Sequence, residues 1–374
     1  MRKETLAIHS THLKDETAAS IAPPVFLTTT FERSADGSYP KGHMYSRNSN
    51  PNRDVLEQGL AKLEGGEIAF VFGSGLAAVS AVLQCLKSGD HVLMPEVGYY
   101  ASYKLAEEIM GPWGLQVSQV DMTDHAAIEA AIRPETKLIW VETPANPLLT
   151  LTDIEAVCKI AHARGIKVGV DNTLTSPILQ NPISFGADIV MHATTKYIGG
   201  HSDILGGAIV FKKASEWSER VKRVQILMGA TQNPMDCYLL ARGLKTLALR
   251  MREHSKNALE IATRLENHPA IEKVHYPGIP SNPHYLLAIK QMPHGQSGMI
   301  SIQIKGDEAQ ARAVANQLHL FQQATSLGGV ESLVEHRRSI EGPGSTTPGN
   351  LLRLSIGLEH VEDLWEDLNQ ALLS

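Results

Sequence analysis

From Ile68 to Met191 the chain alternates short apolar runs with segments whose apolar residues recur at helical spacing. The runs Ile68–Phe72, His91–Met94, Leu115–Val120, Leu138–Val141, Ile166–Val170 and Asp188–Met191 predict buried strands. Between them, Leu76–Leu86, Tyr103–Met110, Ala126–Ile132 after Asp124, and Ile154–Ala163 predict helices, the last with Thr152 as its cap. A further helical stretch runs from Val55 to Gly65-Gly66. Short apolar strands separated by helices predict a mainly parallel sheet covered on both faces. After Asn233 the pattern changes. A long helical stretch runs from Cys237 past Leu249 to Leu265, and Pro-rich turns follow at Tyr276–Pro280. Met299–Ile304 and Leu351–Ile356 read as strands, Ala311–Leu318 and Val361–Leu373 as helices. Without strict alternation, this part predicts a smaller α+β domain.

The expected organisation is an α/β ligand-binding domain over residues 51–232 and an α+β domain over 233–374. Residues 1–50 show no clear period and hold Pro23-Pro24, Thr28-Thr29-Thr30 and Gly37 to Gly42. Such a segment has to lean on another surface, and a neighbouring subunit is the expected one.

Several residues in this frame could carry chemistry. Lys196 sits in Ala193-Thr194-Thr195-Lys196-Tyr197, and Asp171 ends the apolar run that precedes Asn172-Thr173. Ligands of open α/β sheets bind at the C-terminal ends of the strands. An amine downstream of an acid in that position suits pyridoxal phosphate (PLP). The lysine supplies the amine for a Schiff base, and the acid keeps the pyridine nitrogen protonated so that the ring takes up electrons. Taken alone, Lys196 also fits a solvated loop lysine, and Asp171 a turn cap. The turn Gly73-Ser74-Gly75-Leu76 joins a strand to a helix, and free N–H groups there would hold a phosphate. With Glu96 further on, the same turn fits a dinucleotide fold and an NAD-dependent oxidoreductase; it also fits a tight turn with no ligand. Asn146 ends another strand, and Tyr99 follows one and could stack on a ring in the same crevice. Arg353, inside the apolar strand Leu351–Ile356, is costly unless paired, which favours a carboxylate ligand. Arg47 could reach a phosphate from outside the sheet, although a surface arginine looks the same.

Composition narrows the classes. The net charge of −6 is spread without blocks, which argues against nucleic acid as a partner. No apolar run is long enough for a bilayer, and Met1-Arg2-Lys3-Glu4-Thr5 lacks a secretory apolar core, so a cytoplasmic protein with no membrane partner is expected. The three cysteines, Cys85, Cys158 and Cys237, are expected to be reduced core residues in helix-like segments. No His/Cys cluster has zinc spacing, so no metal is expected. His201-Ser202-Asp203 has the letters of a triad, but adjacent residues cannot converge on one substrate atom.

The chain resembles the cystathionine γ-synthase, cystathionine lyase and methionine γ-lyase group of PLP enzymes. The resemblance rests on ordered blocks along nearly the whole length. Among them are Ala22–Phe31, Tyr45–Pro51, Gly73–Ala78, Glu142–Pro147, Val170–Thr173, Thr195–Tyr197 with Gly200–Asp203, Arg242–Leu247, Ser326–Leu333 and Arg353–Glu359. It implies the type I, aspartate-aminotransferase-like PLP-dependent transferase fold. It also implies that residues 51–232 bind PLP. Lys196 would be the Schiff-base lysine and Asp171 the partner of the pyridine nitrogen. Tyr99 would stack on the ring and serve as an acid or base, and Asn146 would lie near the ring hydroxyl. Gly75, Leu76 and Thr195 would hold the phosphate, which Tyr45 and Arg47 would reach from the adjacent subunit. The active unit would then be a homodimer, usually paired into a homotetramer. Arg353, near Ser326, would bind the α-carboxylate of a small sulfur amino acid.

Some positions depart from the family pattern. Ala193 stands where a serine is frequent, which removes one phosphate contact. Thr325 stands where many members carry a glutamate that recognises the distal amino group of cystathionine. Asn48 and Lys104 stand where some carry arginine, Leu327 where some β-lyases carry tryptophan, and Ala101 where methionine γ-lyases carry cysteine. The stretch Ser339–Thr346 is unusual as well. The expected activity is cleavage of C–S bonds of cystathionine or a related sulfur amino acid by β- or γ-elimination. The alternatives are γ-replacement, as in cystathionine γ-synthase or an acyl-homoserine sulfhydrylase, and a catalytically weak protein of this fold with a regulatory role.

Overall fold

The computed structural model describes residues 1–341 and 345–374, so Gly342, Pro343 and Gly344 of the unusual stretch lie outside the described residues. The larger sheet contains β1 (Ile68–Phe72), β2 (His91–Pro95), β3 (Gln116–Val120), β4 (Thr136–Glu142), β5 (Lys167–Asp171), β6 (Ile189–His192) and β7 (Gly207–Phe211). Their spatial order is β1-β7-β6-β5-β4-β2-β3. Strands β2 to β6 run parallel, while β7 is antiparallel to both β1 and β6. The mainly parallel α/β sheet expected from the alternation is therefore present.

β7 and the helix Glu216–Met228 lie outside the predicted elements. β7 is short and led by glycine, and it has no helix before it to mark a new unit. Its first residue bears on the site. A Cβ at Gly207 would stand 2.4 Å from the carbonyl oxygen of Ser74 and 2.8 Å from Cα of Gly75. The strand thus fits against the turn after β1 only because position 207 has no side chain.

Several helix boundaries differ from expectation. The helix expected after Asp124 is His125–Ala131, and Asp124 caps it, accepting from the N–H groups of Ala126 and Ala127. The helix Ile154–His162 is capped by Asp153 rather than Thr152: the Asp153 carboxylate accepts from Ala156 N–H at 3.0 Å. A cap directly precedes the first helical residue, and buried Thr152 sits one position too early, its own N–H spent on Thr143 Oγ1. The segment expected as one helix from Tyr103 begins at Tyr100 and continues from Leu105 to Met110 as a π-helical turn. Residues 1–50 contain one helix, Lys3–His9, which packs on the long helix Pro234–Leu265. Cys158 and Cys237 are buried, whereas Cys85 is half-buried just beyond the helix Gly75–Leu83.

The second sheet contains β8 (Ile271–His275), β9 (Met299–Ile304), β10 (Gln322–Gln323), β11 (Leu333–His336) and β12 (Leu351–Ser355), in the order β10-β11-β12-β9-β8. The 32-residue helix Pro234–Leu265 joins the two cores. Leu240, Leu244, Leu247 and Met251 pack with Tyr197, Ile198 and Leu327, whereas Ala258, Ile261 and Leu265 pack with Ile300, Leu352 and Leu354. Gly243 allows the helix to touch the loop after Lys196: a Cβ there would lie 2.5 Å from the Ile198 carbonyl oxygen.

Gly207→Ala should therefore cost about 1–3 kcal/mol of stability through overpacking against backbone. Gly73→Ala should be mild, because its Cβ would meet only the Thr231 carbonyl oxygen, at 4.0 Å. Thermal melting of the two variants checks this: equal melting points would contradict the packing account.

Candidate active site

A cavity of about 400 Å³ opens at the C-terminal ends of β1, β4, β5 and β6. It is closed from the other side by residues 325–327 and by β12. Of the residues picked out from the sequence, Lys196, Asp171, Tyr99, Gly75, Leu76, Thr195, Asn146, Ser326 and Arg353 all line it. Tyr45 and Arg47 do not. They are exposed, with the Arg47 guanidinium over the Tyr45 ring at 5.5 Å. Of the departures from the family pattern, Ala193, Thr325 and Leu327 line the cavity, whereas Asn48, Ala101 and Lys104 do not.

One wall carries two buried acids. Register places Glu142 at the end of β4 beside Asp171 at the end of β5. Asp171 accepts from Thr173 N–H at 3.0 Å, and burial raises its pKa. Glu142 accepts from the N–H groups of Tyr99 at 2.6 Å and Asn146 at 2.9 Å. Burial, and then the neighbouring Asp171 charge, push Glu142 up to about 8. Among the described residues no lysine or arginine forms an ion pair with either acid. A cationic ring nitrogen is the complement this wall lacks.

The second feature is the turn after β1. Ser74 caps the helix Gly75–Leu83, its hydroxyl accepting from Ala77 N–H. The N–H groups of Gly75 and Leu76 have no acceptor among the described residues and lie on the cavity wall, where an anion could take both. A Cβ at Gly75 would come within 3.2 Å of Ala193 Cβ and of Met191 Cε. Ala193 thus brings a methyl group rather than a hydroxyl to this end, and Thr173 Oγ1 accepts its N–H at 2.8 Å.

Lys196 stands between the acids and the second sheet. Its amine donates to Ser326 Oγ at 2.6 Å. Burial first, and the neighbouring Arg353 charge next, lower its pKa to about 8. The loop bearing it is fastened from below. Buried Arg250 on the long helix donates to the carbonyl oxygens of Tyr197 at 2.6 Å and Gly243 at 2.7 Å. Ser326 holds the amine from a backbone with φ of +88°, a region costly for a residue with a Cβ. That twist lets one residue turn its hydroxyl to Lys196 and its carbonyl to Arg353, whose Nη2 donates to it at 2.9 Å.

Arg353 also donates from Nη1 to Asn146 Oδ1 at 3.0 Å and pairs with Glu335, directly opposite it on β11. Burial lowers the arginine's pKa to about 10. Sequence reasoning missed Glu142, Thr173, Glu335 and Arg337. Glu142 and Glu335 could have been found, since each is an acid in an apolar strand run. Thr173 and Arg337 lie in loop-like sequence that carries no such signal. His201, Ser202 and Asp203 do not converge: His201 Nδ1 donates to Gly199 O, and Ser202 bonds Glu331.

These groups fit PLP: an acid wall for a protonated ring nitrogen, unpartnered N–H groups for a phosphate, an amine whose charge is disfavoured, and an aromatic side chain in Tyr99. Residues 4–373 match the family described as "Cys/Met metabolism PLP-dependent enzyme". The chain is 43% identical over 374 residues to a cystathionine gamma-synthase of Mycobacterium tuberculosis, covering 98% of this chain and 96% of that protein. It is 41% identical over 383 residues to a cystathionine gamma-lyase of Bacillus subtilis, covering 100% and 99%. The crystal structure of metB from Corynebacterium glutamicum superposes with a TM-score of 0.97 at 42% identity, covering 100% of this chain and 98% of that one. The fold is thus the type I PLP-enzyme fold, and the chain belongs to the Cys/Met metabolism PLP-dependent enzyme family, as a trans-sulfuration enzyme of the lyase or synthase kind.

Proposed function

We propose that this enzyme cleaves the C–S bond of cystathionine or a related sulfur amino acid by β- or γ-elimination. The observation that carries this reading is the Lys196 amine, buried and hydrogen-bonded to Ser326, beside an arginine whose carbonyl and amide partners leave it directed at the cavity. PLP bound here supplies an electron sink for negative charge developing at the substrate α-carbon. Lys196 would attach it, Asp171 would pair with its ring nitrogen, Tyr99 would stack on its ring, and Gly75, Leu76 and Thr195 would take its phosphate. Arg353 binds the substrate α-carboxylate, and Asn146 orients that arginine. With substrate in place, the Lys196 amine would take the α proton, and the proton would go to the departing thiolate in β-elimination or to the next carbon of the substrate in γ-elimination. Tyr99 is the second group within reach for proton transfer.

Tyr45 and Arg47, outside the cavity of their own chain, suit the phosphate of an adjacent subunit. On this reading residues 1–50 form an intersubunit arm and the active unit is a homodimer, paired into a homotetramer. Residues 51–232 form the PLP-binding domain and 233–374 the second domain of a cytoplasmic enzyme. A second reading is γ-replacement. It is favoured by the similarity to a cystathionine gamma-synthase.

Keto-acid detection separates the two readings. Pyruvate or 2-oxobutyrate from cystathionine alone is expected for β- or γ-elimination, respectively. Product formed only when an acyl-homoserine and a thiol are supplied together would replace elimination with replacement.

The lowered Lys196 pKa gives a second test. Protonated amine predominates below pH 8 and neutral amine above it. In cofactor-free enzyme, acylation of Lys196 followed by peptide mass spectrometry should rise through about pH 8 and then level off. Exposed lysines, with pKa near ~10.4, should still be rising above pH 9. A Lys196 profile that follows the exposed lysines would contradict the proposed suppression of its charge.

A further inference from the structure

Arg337 is a buried cation that the proposed reaction does not use. It lines the same cavity as Arg353 and is 5% exposed. Its Nε donates to Glu341 at 2.7 Å, and its Nη1 donates to Glu335 Oε2 at 3.3 Å. Its Nη2 is buried and has no partner among the described residues. The guanidinium lies 5.9 Å from the centroid of the Tyr100 ring, and Tyr100, 43% exposed, lines the same cavity.

The arrangement around Glu335 shows where this cation points. Glu335 Oε2 bridges Arg353 and Arg337, yet Glu335 itself is not on the cavity wall. One carboxylate therefore bridges the guanidinium groups of two residues that both line the cavity. The charge of Arg337 reaches the reacting centre: it helps lower Lys196 and holds down the pKa rise of both Tyr99 and Glu142. A buried guanidinium with an open N–H is costly unless an anion or acceptor completes it. An arginine presents donors in the planar fork that a carboxylate matches. Thr325, Leu327 and Ile340, which line the same cavity, carry no charge.

We propose that Arg337 is a second carboxylate-binding residue of the substrate pocket. The preferred substrates then carry an anionic group at the far end of the side chain as well as the α-carboxylate. This rests on the reading above that Arg353 takes the α-carboxylate. Tyr100 moves off the guanidinium when the distal carboxylate arrives. The inference applies equally to a thioether with a terminal carboxylate and to a homoserine ester with one, because the recognised chemistry is the same.

Two binding probes differ only at the distal end: S-(2-carboxyethyl)-L-cysteine and S-propyl-L-cysteine. Their dissociation constants are measured on the PLP-loaded enzyme by calorimetry and by the visible spectrum. The native enzyme should bind the carboxyethyl compound at least about tenfold more tightly, the scale of one charge-assisted hydrogen bond. In Arg337→Gln the ratio should fall to about one, while Arg337→Lys should keep part of the preference. Equal affinity in the native enzyme, which needs no variant, would overturn the proposal. So would a preference that survives Arg337→Gln. Arg353→Gln separates the two claims: it should weaken both probes together. If it weakens neither, the α-carboxylate reading fails, whatever the Arg337 ratio shows.

Discussion

A primary amine can serve as nucleophile and base near neutral pH only if its positive charge is disfavoured where it stands. Lys196 meets that condition through burial and through the adjacent Arg353, which together bring its pKa to about 8. Much of the molecule is arranged around holding this amine in that place. Arg250 fixes the loop from the long helix, Gly243 lets the helix come close enough to do so, and Ser326 takes a costly backbone conformation to hold the nitrogen. The long helix packs into both cores, so the position of Lys196 relative to Arg353 is set by the joining of the two sheets.

The same placement sorts charge across the cavity. Parallel strands deliver Glu142 and Asp171 side by side at their C-terminal ends, which is the acidic wall. The antiparallel strands β11 and β12 deliver Glu335 and Arg353 opposite each other, which sets the basic wall. On the proposed reading, an amino acid bound with its carboxylate at the basic wall would have its α-carbon near Lys196, and a cofactor with a cationic ring nitrogen would face the acids. The acidic wall holds two carboxylates together at a cost that a cationic ligand relieves, whereas Glu335 already offsets the two arginines of the basic wall.

Much of this was legible in the sequence because the signals are local. Strand β1 begins and ends where its apolar run does, and Asp171, Gly75 and Arg353 are each marked by an acid, a glycine or an arginine at the edge or inside of a strand. What escaped depends on distant contacts. β7 has no helix to announce it, yet its Gly207 shapes the turn at Ser74 and Gly75. Glu142 is pushed up by burial and then by Asp171, which register brings beside it, and no pattern within β4 encodes that neighbour. Arg337 reads as a loop arginine until the fold places it on the cavity wall near Tyr100. The choice of Asp153 over Thr152 as a cap is a one-residue matter, decided by where the helix Ile154–His162 begins. Residues 1–50 lack a period because, apart from Lys3–His9, they form no regular helix or strand.

The central claim is that Lys196, and no other lysine, forms the covalent link to PLP. Purified enzyme reduced with borohydride and digested should show the pyridoxyl phosphate mass on the peptide containing Lys196 alone, with loss of the yellow colour. The added mass on a different lysine, or on none in enzyme that turns over substrate, would contradict the account.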